Sequence, residues 1–387
     1  MRIFTFLLLL WSAAACHAQR WEIGLFRASQ IKSVVLKPRL QPSKVLLRPG
    51  LQLYPDSSQF IHLEAENGQV RIKLAGRNWG LYREIRCIAK AGGVHNLKPV
   101  QPDFPDWTYA GTLVFKAKQN ELQMVNWVDE RDYLAGVLKG ETGRGKAPGF
   151  YEAMAVVART YAYYYKGRHR KEGFDLCDQH HCQVYKGFSP YNAWFEAVQR
   201  SEGLVIHTSE GQFAEAVFHA NCGGQTSDAA WVWKNSIPNC TPVNDPFCYV
   251  GKGSRWNISI DKRSFLNKTQ LSESDWEKAL QMQDSGTAMC YGGERFASIQ
   301  FGGKNQNPVQ WRSRLNLKSA WFDVHMDSDS VYFSGNGFGH GVGMCQEGAM
   351  EMAVQGCGME EILQFYFRGI RLVYLPDRRK DQGFNRY

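Results

Sequence analysis

Residues 333–349, FSGNGFGHGVGMCQEGA, constrain this chain more than any other stretch. Six glycines surround one histidine, His340, between an apolar strand-like run and a helix-like tail. Glycine weakens any regular element, because it gives up the most backbone freedom on folding. Such a density is tolerated where backbone comes close to a ligand, a tight turn or a facing strand. A strand, a glycine-rich turn and a helix are therefore expected here, with a proton-exchanging ring in the crowded turn.

The rest of the chain has readable punctuation. Residues 19–125 form a β-rich N-terminal part, in which IKSVVLKP, QVRIKLA and GTLVFKAK are β-branched runs bounded by Gly, Pro and Asn. Asn67-Gly68 marks a tight turn and Ala91-Gly92-Gly93 a second bend. TYAGTLVFKAKQNELQMVNWVD reads as a hairpin turning near Gln119-Asn120, followed by a short apolar helix over 132–138. Phe150, Met154, Val157, Tyr161 and Tyr164 recur at spacings of three and four, which predicts an amphipathic helix ending at Gly167. A second helix is expected over 190–202, with Ser189 as N-cap and Gly203 as C-cap. LVIHTSEGQFAEAVFHA reads as a hairpin turning near Glu210-Gly211, and further helices are expected over 346–355 and 360–367. No βαβ alternation is present, so the expected class is α+β, mostly antiparallel strands with a few helices.

The first residues, MRIFTFLLLLWSAAACHAQR, have the charged start, apolar run and small-residue end of a secretory signal peptide over 1–18. The apolar run is far shorter than the roughly 20 residues of a membrane span, and no later segment is long and apolar enough. Cys16 is a poor lipoprotein site, so soluble export to the periplasm or cell envelope is expected. A formal net charge of +9 suits an anionic wall polymer, although solubility explains it equally well. The basic residues are dispersed and the chain is exported, so no nucleic-acid partner is expected. Export permits disulfides. Ten cysteines, nine without Cys16, leave at least one unpaired or point to a metal. GxxxxGK[ST], HExxH and GxSxG motifs are missing, which disfavours phosphate transfer, zincin proteolysis and α/β-hydrolase chemistry.

Residues able to do chemistry collect in a few places. Glu141 stands at the end of the short apolar helix, with Gly140 before it and Thr142-Gly143-Arg144-Gly145 after it. Glycines on both sides open the backbone around its carboxyl. His169, Cys177, His180, His181 and Cys182 bring two thiols and three imidazoles into 14 residues. Zinc takes four such ligands in a tetrahedron; a Cys177–Cys182 disulfide is the rival. Arg159 could hold a carboxylate through two parallel contacts, with a structural ion pair as the alternative.

Four segments occur in order: YLAGVLKGE (133–141), AMAVVARTYA (153–162), FHANCGGQT (218–226) and the GHGVGMCQEGAM run. Together they resemble the stage II sporulation protein D and amidase-enhancer family, the SpoIID/LytB-type domain. The similarity covers residues 126–387, read as one large peptidoglycan-acting domain. The resemblance implies an exported lytic transglycosylase that cleaves the MurNAc–GlcNAc bond of peptidoglycan glycan strands and leaves a 1,6-anhydro end. Its alternative is a non-enzymatic, glycan-binding enhancer of a cell-wall amidase. In the first case Glu141 is general acid and then base; the muramic acid C6 hydroxyl replaces water, so no second carboxylate is needed. The resemblance also implies a groove formed by Arg159, His219, Cys222, Gly223, Gly224, Thr226, Gly339, His340, Gly341 and Gly343. No catalytic cofactor is implied, but a structural zinc on His169, Cys177, His181 and Cys182 is. The chain departs from the family pattern in LKGE, where many relatives have a more helical VxSE. Cys222 and Cys345 each replace a serine, which suggests that they meet. Cys240 and Cys248 flank a Pro-rich loop and could pair with each other or with Cys222.

Overall fold

The computed structural model describes residues 20–250, 253–284, 295 and 298–376; the expected signal peptide and Cys16 lie outside them. The described chain divides into two compact units. The first is built on Gln30–Tyr133 with the strand preceding Phe26, the second on Phe26–Ser29 and Leu134–Leu375.

The first unit contains β1 (Arg20–Leu25), β2 (Ser33–Arg39), β3 (Ser43–Arg48), β4 (Leu51–Leu53), β5 (Ile61–Glu66), β6 (Gln69–Leu74), β7 (Arg77–Tyr82), β8 (Glu84–Ala89), β9 (Val94–Gln101), β10 (Trp107–Ala110), β11 (Thr112–Lys118) and β12 (Glu121–Asp129). They pair antiparallel in the orders β1-β12-β11-β8-β3-β4 and β10-β9-β2-β5-β6-β7. Alternation drives the packing: Ile61, Leu63 and Ala65 of β5 face inward while His62 and Glu64 face out. β5 and β6 lie against β11, so apolar faces of the two sheets meet. Asn67 and Gly68 turn β5 into β6 with positive φ at both positions, the demand of a two-residue hairpin turn. The turn at Gln119-Asn120 joins β11 to β12 as expected. Trp107–Ala110, however, pairs with β9 in the other sheet and is not part of that hairpin.

The second unit follows from α1 (Glu130–Glu141). It contains α2 (Pro148–Tyr164), β13 (Leu176–Cys177), α3 (Asn192–Arg200), β14 (Leu204–His207), β15 (Phe218–His219), α4 (Ala229–Trp233), β16 (Arg255–Asp261), α5 (Lys262–Thr269), α6 (Glu273–Asp284), β17 (Ile299–Phe301), β18 (Lys304–Gln306), α7 (Pro308–Leu315), β19 (Phe322–Met326), β20 (Ser330–Asn336), β21 (Met344–Cys345), α8 (Gln346–Val354), α9 (Met359–Tyr366) and β22 (Arg371–Tyr374). The mix of helices and largely antiparallel strands is α+β. α2 is not amphipathic, contrary to the expectation: residues 153–162 are buried without interruption. It is covered by α3, α8, α9 and β14 on different sides, and its alanines let these neighbours come close. Tyr164, expected on the buried face, is exposed. α3 begins two residues later than expected, with Tyr191 and not Ser189 at its N-cap. The turn at Glu210-Gly211 forms, and the hairpin extends from it only as far as the His207–Phe213 bridge and the Ala214 N–H to Ile206 carbonyl bond. β14 pairs with β22, and β15 pairs in parallel with β21. Around the antiparallel sheet β16-β20-β19, a separate core gathers Trp256, Phe265, Trp276, Trp311, Phe322 and Phe333. Burying each such side chain contributes on the order of 1.5–3 kcal/mol.

Candidate functional site

Glu141 is the last residue of α1 and is half-buried. The backbone N–H of Val184 donates to its Oε1 at 2.7 Å, and the Gln346 side-chain amide donates to its carbonyl oxygen at 3.2 Å. Burial raises the carboxyl's pKa; the Val184 amide and the nearby His180 oppose that rise. Two glycines let residues 184–187 come this close. A Cβ on Gly140 would lie 2.3 Å from the Val184 carbonyl oxygen, and one on Gly136 2.4 Å from the Tyr185 ring. The Gly140 that departs from the family pattern is thus what the packing of this helix end requires. Beyond it, Tyr151 holds the following loop by donating to the Gly143 carbonyl at 2.9 Å and accepting from the Lys146 amide at 3.0 Å.

The glycine-rich run follows β20 and leads through β21 into α8, as its pattern predicts. His340 is held by main chain at both nitrogens: Nδ1 accepts from the Val342 N–H at 3.1 Å, so Nε2–H donates to the Phe218 carbonyl at 2.9 Å. Burial pushes its pKa down to about 4, so the ring is neutral. It packs against Trp233 and against His219, whose ring centroid is 5.5 Å away. His219 Nδ1–H donates to the Val342 carbonyl at 2.9 Å, and its buried Nε2 has no hydrogen-bond partner among the described residues. Burial holds its pKa well below the ordinary imidazole range.

The glycines of the run approach the protein's own chain. A Cβ on Gly343 would sit 2.2 Å from the Val217 carbonyl oxygen, Gly339 lies against His219, and Gly341 against the Arg295 guanidinium. Gly223 lies against Asn336 and Gly224 against Tyr249. Two expected groove residues are engaged within the protein's own packing. Arg159 is 1% exposed, and its guanidinium donates to the carbonyls of Val198, Ser201 and Leu204, where α3 ends. Four N–H-free carbonyls at a helix end are a natural seat for such a cation. Thr226 is buried and accepts from the Val243 amide at 2.8 Å.

A cavity of about 960 Å³ opens beside Gly224, lined by aromatic groups of Trp231, Tyr249, Trp321 and Phe365 together with Gln225 and Asn244. Of the expected contact residues only Gly224 lines it, and Glu141 does not.

His169, Cys177, His181 and Cys182 come together, with one donor atom from each lying within 4.8 Å of the others. Cys182 Sγ is 3.4 Å from His169 Nε2 and 3.8 Å from His181 Nδ1, and Cys177 Sγ is 4.0 Å from the same His181 nitrogen. His169 Nδ1 meets Glu172 Oε1 at 2.6 Å, and Arg27 holds that carboxylate at 2.8 Å. A ring nitrogen facing the cluster, with the other on a carboxylate, is the usual dress of a metal-bound histidine. Both cysteines are free thiols. Cys222 and Cys345 also meet, as their shared departure suggested, and Cys248 joins them. Cys240 stands apart, directed at the Glu215 carbonyl.

The model of the stage II sporulation protein family, SpoIID, matches residues 118–207, a span containing Glu141 and the His169–Cys182 cluster. The stage II sporulation protein D of Bacillus subtilis (strain 168) is 25% identical over 270 residues, which cover 65% of this chain and 76% of that protein. The chain is thus similar to the SpoIID/LytB-type family. A Brachyspira hyodysenteriae protein of uncharacterised function is 28% identical over 269 residues, 68% of this chain and 72% of its own. The amidase enhancer of B. subtilis is 24% identical over 289 residues; these cover 62% of this chain but 40% of the enhancer. No helix among the described residues of this chain is long and apolar enough to cross a membrane. Sequence reading missed Gln346, Val184 and Asp245, whereas a meeting of Cys248 with Cys222 was among its alternatives. Only Gln346 carried a signal, since it continues the GHGVGMC run.

Proposed function

We propose that this chain is an exported peptidoglycan lytic transglycosylase with Glu141 as general acid and base. The observation that carries the reading is the Glu141 carboxyl, half-buried at a helix end and raised in pKa by that burial. An acid that must be protonated near neutral pH needs such an environment. Glu141 gives its proton to the departing N-acetylglucosamine oxygen as the bond from that oxygen to muramic acid C1 breaks. The resulting carboxylate then takes the proton of the muramic acid C6 hydroxyl while the C6 oxygen bonds to C1. The 1,6-anhydro ring closes, the proton returns to Glu141, and no water is consumed. The aromatic cavity beside Gly224 offers faces on which sugar rings can stack.

His169, Cys177, His181 and Cys182 fit a structural zinc in donor type, convergence and the Glu172 contact on His169. Four protein ligands leave such an ion no open position, so it would stabilise the fold and not activate water. The chain continues from Cys182 to Val184, the donor on Glu141, so this loop is positioned to orient the carboxyl. Export rests on the signal-like residues 1–18.

Purified glycan strands digested with the full chain should yield anhydro ends by mass spectrometry. Glu141→Gln should lower turnover by about 10²–10⁴-fold. Reducing ends would replace this reading with a hydrolase. Absence of cleavage together with stimulation of a cell-wall amidase would replace it with the enhancer role that one relative's name carries.

A further inference from the structure

A second cluster of metal-ligand side chains lies outside the span of the SpoIID family match. Cys222, Asp245, Cys248 and Cys345 each direct one ligand atom into a space where all four atoms lie within 4.8 Å of one another. Cys222 Sγ is 3.3 Å from Cys248 Sγ and 3.2 Å from Asp245 Oδ2. Asp245, Cys222, Cys248 and Cys345 are all 0% exposed. From this convergence we propose that Cys222, Cys248, Cys345 and Asp245 bind a second divalent metal ion, zinc, as a closed structural site.

Three observations carry it. The first is geometry. Tetrahedral zinc with sulfur at about 2.3 Å and carboxylate oxygen at about 2.0 Å sets donor–donor spacings of roughly 3.5–3.8 Å. The observed spacings lie near these values and far above the roughly 2.05 Å of a disulfide. A disulfide would also use two sulfurs and strand the third beside a buried carboxylate.

The second is the surrounding shell. Cys345 Sγ accepts from the backbone amides of Cys222 at 3.2 Å and Gly348 at 3.4 Å. The amides of Gly223 and Gly224 face Cys248 Sγ. Tyr366 donates to Asp245 Oδ2 at 2.8 Å, and the Phe247 amide donates to Oδ1 at 3.0 Å. Backbone N–H groups on sulfur and a hydroxyl on the carboxylate orient such ligands and favour their ionised forms. Gly348 makes room for this arrangement, because a Cβ there would lie 2.3 Å from Asp245 Oδ2.

The third is charge. A wholly buried carboxylate among three thiols is costly unless a cation compensates it. Thiolate-rich donor sets select soft borderline cations over magnesium or calcium. Binding expels the three thiol protons to solvent and leaves an anionic centre. Arg295, whose Nε donates to the Gln225 carbonyl at 2.8 Å and whose Nη2 donates to the Cys222 carbonyl, lies beside it. The ion would fasten β15, the 245–248 turn and the start of α8 to one another. Gln346, which bonds the Glu141 carbonyl, follows Cys345 directly.

The test is metal content of the full chain, produced with zinc and purified without chelator under reducing conditions. The expected result is two zinc ions per chain. Cys177→Ser should remove one, and the conservative pair Cys222→Ser/Cys345→Ser should remove the other. Because the pair could fail to fold, zinc X-ray absorption on the unaltered protein gives a second readout. Two sites share five sulfur ligands between two ions, whereas the first site alone supplies two sulfurs to one. One zinc per chain that Cys177→Ser abolishes would overturn the second site and leave the first intact. Two zincs with Cys177→Ser unchanged would count against the first site only. A Cys222–Cys248 disulfide in the folded, active protein would also overturn the proposal.

Discussion

The two thiol clusters of the second unit are assembled in opposite ways. His169, Cys177, His181 and Cys182 come from 14 consecutive residues, and His181 remains exposed at the rim. Cys222, Asp245, Cys248 and Cys345 are drawn from three distant segments and are wholly buried. Both lead to Glu141 by different routes. The chain leaving the local cluster supplies Val184, which addresses the carboxylate. The chain leaving the distant cluster supplies Gln346, which addresses the main chain of the same residue. The difference is one of contact: the local cluster is followed by the residue that bonds the Glu141 carboxyl, and the distant one by the residue that bonds its carbonyl.

The largest effect that would sharpen this contrast is on stability. A link between residues 222 and 345 closes a far longer loop than one between 169 and 182, and each tenfold in loop length adds about 2 kcal/mol. Cys222→Ser/Cys345→Ser should therefore lower the unfolding free energy by about 2 kcal/mol more than Cys177→Ser. Denaturant titration of the zinc-loaded proteins measures it, and equal losses would break the comparison. Next comes Gly140→Ala. Its Cβ would meet the Val184 carbonyl oxygen, and overpacking of this kind costs about 1–3 kcal/mol. If the segment gives way, Glu141 loses the Val184 N–H that favours its ionised form. Its pKa then rises further, and the alkaline limb of the pH–rate profile moves to higher pH. An unmoved limb in a folded variant would show that Val184 does not tune the acid. The smallest effect is expected from His340→Ala. Two main-chain hydrogen bonds are lost, each worth about 0.5–1.5 kcal/mol. Melting temperature should fall while glycan cleavage, corrected for folded protein, stays near normal. Abolished cleavage in a folded variant would return His340 to the chemistry.

How much was legible follows the same local–distant divide. The Asn67-Gly68 turn, α1 and the strand–turn–helix around His340 are local events, and their signals sit within a few residues. The convergence of His169 with Cys182 was readable because a short segment can close only on itself. Cys222 and Cys345 were paired only through a shared departure from the family pattern. Cys248 was readable as one possible partner of Cys222, while Asp245 had no mark, since nothing in its neighbourhood reports on β21. The one-faced reading of α2 failed because periodicity detects a buried stripe, and here every side is covered. Arg159 looked like a ligand-binding cation because a sequence does not display the carbonyls that end α3. The 204–220 hairpin is cut short after the His207–Phe213 bridge, and β14 has its regular ladder with β22, over 150 residues away.

The parallel pairing of β15 with β21 has a consequence for how the molecule comes into being. Phe218 meets Met344, and His219 meets Cys345, across a long intervening stretch that carries the Trp256, Trp276 and Trp311 core. Contacts so far apart along the chain form late, after local structure has already shortened the path between them. The tryptophan core is thus expected to form before the neighbourhood of His340 and Gln346. In refolding, tryptophan fluorescence should recover before glycan-cleaving competence does. Simultaneous recovery of both signals would contradict that order.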